Sequence, residues 1–323
     1  MDEKLILSSS PHMRNGVTTH SIMLDVILSL VPAAVASIIL FGPRALMILS
    51  VSVASCVLSE YVCRRVMKRD NTIGDLSAAV TGILLAFNLP VTINPLIAVF
   101  GGIVAIVVVK QMFGGIGQNF VNPALTARII LMVSFPVQMT TWVAPFYFTQ
   151  SSAADALTTA SPLALIKQGA SSAELPGYLN MLIGDRAGCL GETCALALIL
   201  GGIYLVVRKV ISPVIPLCYV GTAALLSLCM GRDVLMDVLS GGLLLGAIFM
   251  ATDYTTSPLT VKGQIIFAVG CGVITMLIRG FGNLSEGVSF SIILMNILVP
   301  LIDSATCPTA FGKERVKKHE IRR

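Results

Sequence analysis

Charge is what this chain has least of. Asp, Glu, Lys and Arg together make up 12% of its 323 residues, against roughly 25% in soluble domains. That shortage excludes an ordinary water-soluble fold. Histidine is nearly absent too: His12, His20 and His319 lie near the termini and cannot converge as a metal-ligand set. None of the eight cysteines follows a zinc or iron–sulfur spacing. Most lie in apolar runs, where a thiol behaves as a small hydrophobe, and the neighbouring Cys189 and Cys194 are read as plain thiols. No glycine-rich dinucleotide fingerprint follows a strand, so the chain alone is not expected to oxidise NADH. The first twenty residues are polar and mixed, which gives no cleavable signal peptide. A net charge of +5 does not argue for nucleic acid, because the basic residues cluster in short loops between apolar runs.

Hydrophobic residues fill the space that charge leaves, at 55% of the chain, and the mean hydropathy is +0.87. A bilayer core of about 30 Å is crossed by about 20 helical residues. Apolar runs near that length fall at 21–41, 43–63, 74–90, 93–112, 122–140, 190–209, 213–230, 234–251, 261–279 and 286–303. The expected fold is therefore an all-α polytopic membrane protein of about ten transmembrane helices. They divide into a first group of five at 1–140, a long loop at 141–189, a second group at 190–303 and a basic tail at 304–323. With the N-terminus inside, the outer segments hold only Arg44, Lys167, Arg186, Arg232 and Arg279 of the 22 basic residues, and Arg128 falls within a span. The positive-inside rule then puts both termini in the cytoplasm and the long loop outside.

The two groups look related. Phe113-Gly114-Gly115-Ile116-Gly117-Gln118-Asn119 resembles Phe281-Gly282-Asn283-Leu284-Ser285-Glu286-Gly287, and each follows the fourth helix of its group. Five is an odd number, so the halves are expected to be inverted repeats, a transporter-like architecture. Ser240-Gly241-Gly242 with Gly246, Gly101-Gly102 and Gly201-Gly202 offer small faces for close helix approach. Asn88-Leu89-Pro90, Asn94-Pro95 and Asn122-Pro123 are helix-breaking, since proline lacks the backbone donor. Asn119, Asn122 and Arg128 crowd one such region, which makes 119–128 the strongest candidate for a broken segment beside a cavity. Asp25, Asp75, Asp237, Asp253 and Asp303 lie in or at the ends of spans. Solvation at the interface explains such carboxylates, and so does an ion pathway; Asp25, Asp75, Asp237 and Asp253 are the pathway candidates.

A polar island, Asp155-Ala156-Leu157-Thr158-Thr159-Ala160-Ser161-Pro162-Leu163, interrupts the long loop. Taken alone it reads as a Ser/Thr-rich turn capping a helix that starts near Pro162. Several other stretches carry a wider resemblance: Ser8-Ser9-Ser10-Pro11-His12, Met23-Leu24-Asp25-Val26, Leu30-Val31-Pro32-Ala33, Gly74-Asp75-Leu76-Ser77-Ala78-Ala79-Val80-Thr81-Gly82, Gly117-Gln118-Asn119-Phe120-Val121-Asn122-Pro123-Ala124 and Ala251-Thr252-Asp253-Tyr254-Thr255-Thr256-Ser257-Pro258. Together they resemble the D subunits of the Rnf complex, the membrane NAD:ferredoxin oxidoreductase, and more distantly the B subunits of sodium-pumping NADH:quinone reductases.

The resemblance implies a bacterial cytoplasmic-membrane subunit that relays electrons among other Rnf subunits and contributes to Na⁺ or H⁺ movement. It implies FMN bound covalently through its phosphate. The attachment motif would be Asp155, Thr158, Thr159, Ala160, Ser161, Pro162 and Leu163. Ser161 stands where the family usually has threonine, and supplies the same nucleophilic oxygen. Thr159 or Thr158 is the alternative acceptor. A separate flavin transferase would read Asp155. A second, noncovalent flavin, riboflavin, is implied within the bundle, with Asn119, Asn122 and Arg128 as candidate contacts. The competing reading is a solute channel resembling the urea transporters, which composition alone also supports.

Overall fold

The computed structural model describes residues 18–149, 159–168, 176–282 and 286–308. Its regular elements are helical. Helix α1 (Thr19–Phe41) begins with a capping box between Thr18 and Ser21, and at Gly42, φ +73°, the chain turns directly into α2 (Pro43–Val66). These two, with α13 (Val261–Phe281) and α14 (Val288–Thr306), are long and apolar enough to cross a membrane. Many of their large apolar side chains are exposed, Leu58, Val62, Phe281 and Leu301 among them, which suits lipid rather than water.

Several runs that read as full spans are shorter helices. The run 74–90 forms only α3 (Ser77–Phe87), about 16 Å at 1.5 Å per residue. It starts after Leu76 in a left-handed conformation, φ +59°, and stops before Pro90, which cannot continue it. The run 93–112 is α4 (Pro95–Ile103), whose last turns, Val104–Gln111, are π-helical. The run 122–140 divides at Phe135 into α5 (Pro123–Ser134) and α6 (Pro136–Met139). In the long loop stand α7 (Pro162–Lys167) and α8 (Tyr178–Ile183). The run from 190 becomes α9 (Ala195–Val207) only at Ala195, because Leu190 and Gly191 donate their backbone N–H groups to Leu89 and Phe87 at the end of α3. Next comes α10 (Val214–Cys229).

The run 234–251 departs furthest from expectation. Ser240-Gly241-Gly242 is not a packing face on a continuous helix. It separates α11 (Val234–Leu239) from α12 (Leu243–Leu245), which continues as π-helical turns at Gly246–Met250. Gly241 sits at φ +64°. The buried Arg279 guanidinium bonds the Asp237 and Ser240 carbonyls at 2.5 and 3.1 Å, taking acceptors that the next helical turn would otherwise use. The other glycine pairs do permit close approach: Gly102 lies against Ser55 and Cys56, and Gly201 against the Ser29 carbonyl.

α2 packs on α3 and α4, α10 on α13, α13 on α14, and α1 on α9. The core runs continuously through both groups of helices. At the contact between α2 and α3, a Cβ on Gly82 would lie 2.7 Å from the Val53 Cα. Backbone cannot yield there as a flexible side chain can. Gly82→Val is expected to cost about 1–3 kcal/mol, read as an earlier thermal transition in detergent; an unchanged transition would mean that α2 and α3 can separate freely.

Candidate functional site

Two cavities share α5 as a wall. The first encloses about 220 Å³ and is lined by Arg128, Trp142, Thr159, Ser161 and Glu286, with methionines between them. Local sequence explains how Ser161 arrives there. Pro162 starts α7 with a preset φ and Ser161 caps it, its Oγ accepting from the Ala164 N–H at 3.3 Å. Thr159 is tied back by its N–H to the Trp142 carbonyl at 3.0 Å. The capping role expected of this island is therefore present, and the same residue, 4% exposed, faces a cavity. The Thr159 hydroxyl is buried without a hydrogen-bond partner among the described residues. Ala160 is exposed, and Pro162 and Leu163 are buried in α7. Asp155 and Thr158 lie outside the described residues.

Behind this cavity is a buried charged network. Arg128, in the middle of α5, donates to Asn88 Oδ1 at 2.7 Å and to Cys189 Sγ at 3.5 Å, and forms an ion pair with Glu286. Cys189 in turn donates to the Asn88 carbonyl at 3.4 Å. Cys189 is a free thiol, as expected, and also a member of a polar network. Glu192 completes the cluster: its carboxylate, that of Glu286 and the Cys189 sulfur offer atoms within 4.8 Å of one another. Arg186 donates to the Glu192 carbonyl. Sequence reasoning missed Glu192 and Glu286. Each is acidic beside glycine in an apolar context, but nothing in the spacing joins them to Arg128, which is 158 residues from Glu286.

The second cavity is larger, about 390 Å³, and lies toward the opposite end of α5. Its polar lining includes Ser77, Lys110, Asn119, Asn122, Thr252 and Asp253. Positive φ at Gly114, Gly115 and Gly117 turns the chain between α4 and α5. Asn122 then caps α5, accepting from Ala124 and Leu125 N–H groups at 3.1 and 3.2 Å, and donates to the Met250 carbonyl at 3.3 Å. Asn119 is held by its bond to the Val121 carbonyl at 3.2 Å. Of the three residues grouped from sequence, Asn119 and Asn122 meet here, whereas Arg128 stands at the other cavity with Ser161. Six residues separate Asn122 from Arg128, about 9 Å along the helix.

The four pathway carboxylates do not converge. Asp25 accepts from Tyr204 at 2.9 Å and pairs with the largely exposed Arg208 at 3.2 Å. Asp237 is held by Arg232 at 2.8 Å and by Ser227 at 2.8 Å. Asp75 is half-buried in a single 3₁₀ turn. Of the four, Asp253 lines the larger cavity. It follows the last turn of α12, and withdrawal of its carboxyl from water pushes its pKa above the ordinary range, against hydrogen bonds from Thr255, Thr256 and Asn119 that pull it down.

Residues 6–312 match the NQR2, RnfD, RnfE family. The chain belongs to that family. Within it, the chain is 47% identical over 316 residues to the D subunit of the Na(+)-translocating ferredoxin:NAD(+) oxidoreductase complex of Acetobacterium woodii, covering 97% of each protein. It is 43% identical to the D subunit of the proton-translocating ferredoxin:NAD(+) oxidoreductase complex of Clostridium ljungdahlii, with 96% of each covered. It is 34% identical to the D subunit of the ion-translocating oxidoreductase complex of Escherichia coli O7:K1, covering 96% of this chain and 99% of that one. In this member of the NQR2, RnfD, RnfE family, Ser161, Arg128, Asn119 and Asn122 all lie inside the matched region, and so do both cavities.

Proposed function

We propose that the chain is the flavin-bearing membrane subunit of an ion-translocating ferredoxin:NAD oxidoreductase, working among the other subunits of an Rnf complex. The observation that carries this reading is the meeting of Ser161, a Thr159 hydroxyl with no partner among the described residues and the Arg128 cation at one cavity, in a chain whose relatives are named as D subunits of such complexes.

The residues present fit FMN at the 220 Å³ cavity. Ser161 Oγ would carry the phosphate, Thr159 has a hydroxyl with no partner among the described residues, Arg128 supplies positive charge that its partner Glu286, also in the lining, partly offsets, and Trp142 with Met132 and Met139 supplies apolar surface. The 390 Å³ cavity fits a second, noncovalent flavin, with the Asn119 and Asn122 amides as candidate donors to ring carbonyls. Bound flavin would supply reversible uptake of one or two electrons. The protein's share is to hold, orient and keep water away. Arg128 is held beside the cavity by Asn88, Cys189 and Glu286. Mass spectrometry of peptides covering residues 150–168 tests the reading. An FMN adduct on Ser161 is expected; bare peptide from cells containing a flavin transferase would sink it and favour a permeation role.

We further read the helices as ten spans in two inverted halves, α1–α5 and α9–α14, with α11 and α12 counted as one broken span. The packing of α2 on α4 in one half and of α10 on α13 in the other supports this. Both termini are then cytoplasmic and the Ser161 segment is outside. Two exposed native thiols test the orientation. Cys229, at the end of α10, is expected to react with an impermeant maleimide in intact cells, and Cys307, after α14, only once the membrane is opened. The reverse pattern would invert the topology.

A further inference from the structure

A second buried ion pair stands at the wall of the larger cavity, between residues that sequence reasoning did not connect. Glu60 of α2 is 1% exposed and Lys110, in the π-helical turns of α4, is 3% exposed. Lys110 Nζ lies 3.0 Å from Glu60 Oε2 and 3.3 Å from Oε1, and donates to Ser77 Oγ at 2.7 Å. Glu60 also accepts from Gln111 Nε2 at 2.9 Å and from Thr72 Oγ1 at 2.8 Å. The ammonium is thus fixed by two side chains, and its carboxylate by three.

Such a pair is a poor device for stability alone. Desolvating both charges costs about as much as their attraction returns, and apolar side chains of similar volume would often serve better. Ionisable groups at membrane depth and π-helical turns are both associated with function. The decisive feature is position. Lys110 and Ser77 line the cavity, and among the described lining residues Lys110 is the one cation and Asp253 the one anion.

We propose that Lys110 is a positioning residue that raises the reduction potential of the electron acceptor held in this cavity, with Glu60 and Ser77 fixing its ammonium at the wall. The proposal rests on reading the cavity as the noncovalent flavin site. A one-electron reductant, such as a reduced iron–sulfur centre of the complex, would add one negative charge there, and a one-electron oxidant of the same class would remove it. No bond to Lys110 forms or breaks, and its protons stay in place. A fixed cation in a buried wall, where Lys110 is 3% exposed, lowers the energy of the added charge more than it would in solution. Glu60 works against this, offsetting part of the ammonium's field while holding it in position.

The geometry therefore gives two variants of opposite sign. In the whole purified complex, Lys110→Met leaves the Glu60 charge alone, so the midpoint potential of the noncovalent flavin should fall. Glu60→Gln keeps a hydrogen-bond acceptor for Lys110 and removes the opposing charge, so the midpoint should rise. Lys110→Arg should stay close to wild type. The measurement is a redox titration followed by flavin absorbance, with noncovalent flavin quantified separately after acid release. Opposite shifts with flavin retained support the proposal. Unchanged midpoints with flavin retained overturn it and leave the cavity reading standing. A wild-type complex that releases no noncovalent flavin overturns both. Where Lys110→Met fails to assemble, Glu60→Gln decides by the presence or absence of a rise.

Discussion

Arg128→Met is expected to destabilise the protein by about 3–5 kcal/mol, the usual cost of stranding one member of a buried ion pair. Arg128 is 4% exposed and its guanidinium has three side-chain partners, Asn88, Cys189 and Glu286. Its removal leaves the carboxylates of Glu286 and Glu192 facing each other within 4.8 Å, with the Cys189 sulfur as the third member of that group. Glu192 Oε2 already lacks a partner among the described residues, so it gains nothing that would offset the loss. Glu286→Leu should cost less than Arg128→Met, because Arg128 then keeps Asn88 and Cys189 and has Glu192 as a neighbouring countercharge. The double variant Arg128→Met/Glu286→Leu should recover much of the loss. Thermal unfolding in detergent, followed by far-ultraviolet circular dichroism, checks the order. Equal losses for both single variants, with no recovery in the double, would mean that the pair carries no coupling.

The second large effect is qualitative. Ser161→Ala should abolish the fluorescent flavin band that survives denaturing electrophoresis, since alanine has no oxygen to esterify. Ser161→Thr should keep it, because threonine offers the same oxygen with a stiffer side chain. Thr159→Ala should retain the band, since Thr159 is read as a wall of the cavity rather than the acceptor. A band that persists in Ser161→Ala and vanishes in Thr159→Ala would move the attachment by two residues. Ser161→Ala also removes a helix cap worth about 1 kcal/mol, too little to unfold the chain, so a folded but dark protein is the expected product.

The membrane class was legible because scarce charge and long apolar runs are properties of composition. The local devices of the candidate site were legible too. Ser161-Pro162 acts within a few residues and caps α7 as its chemistry requires, whereas Asn122-Pro123, expected to break a helix within 119–128, instead caps an unbroken α5. Two kinds of feature were not. Interruptions such as Ser240–Gly242 depend on a distant side chain, Arg279, reaching backbone carbonyls. Hydropathy cannot see that reach, so 234–251 reads as one apolar run. Partner choice is equally hidden: Lys110 resembles any loop cation, and Glu60 any residue near a helix end, until 50 residues of separation close to 3.0 Å. The same limit grouped Arg128 with Asn119 and Asn122, which share a helix neighbourhood but serve different cavities.

That division follows from the shortness of α5. At 12 residues it spans about 18 Å, less than the thickness of the hydrocarbon layer. Its capped end borders one compartment and its central arginine the other, like a bulkhead between two holds. A molecule that tightens against either side therefore presses on the same rod. Where filling one compartment alters affinity in the other, thermodynamic reciprocity requires the converse effect to be equal in size. Loading of the two sites should then be studied as a single linked equilibrium.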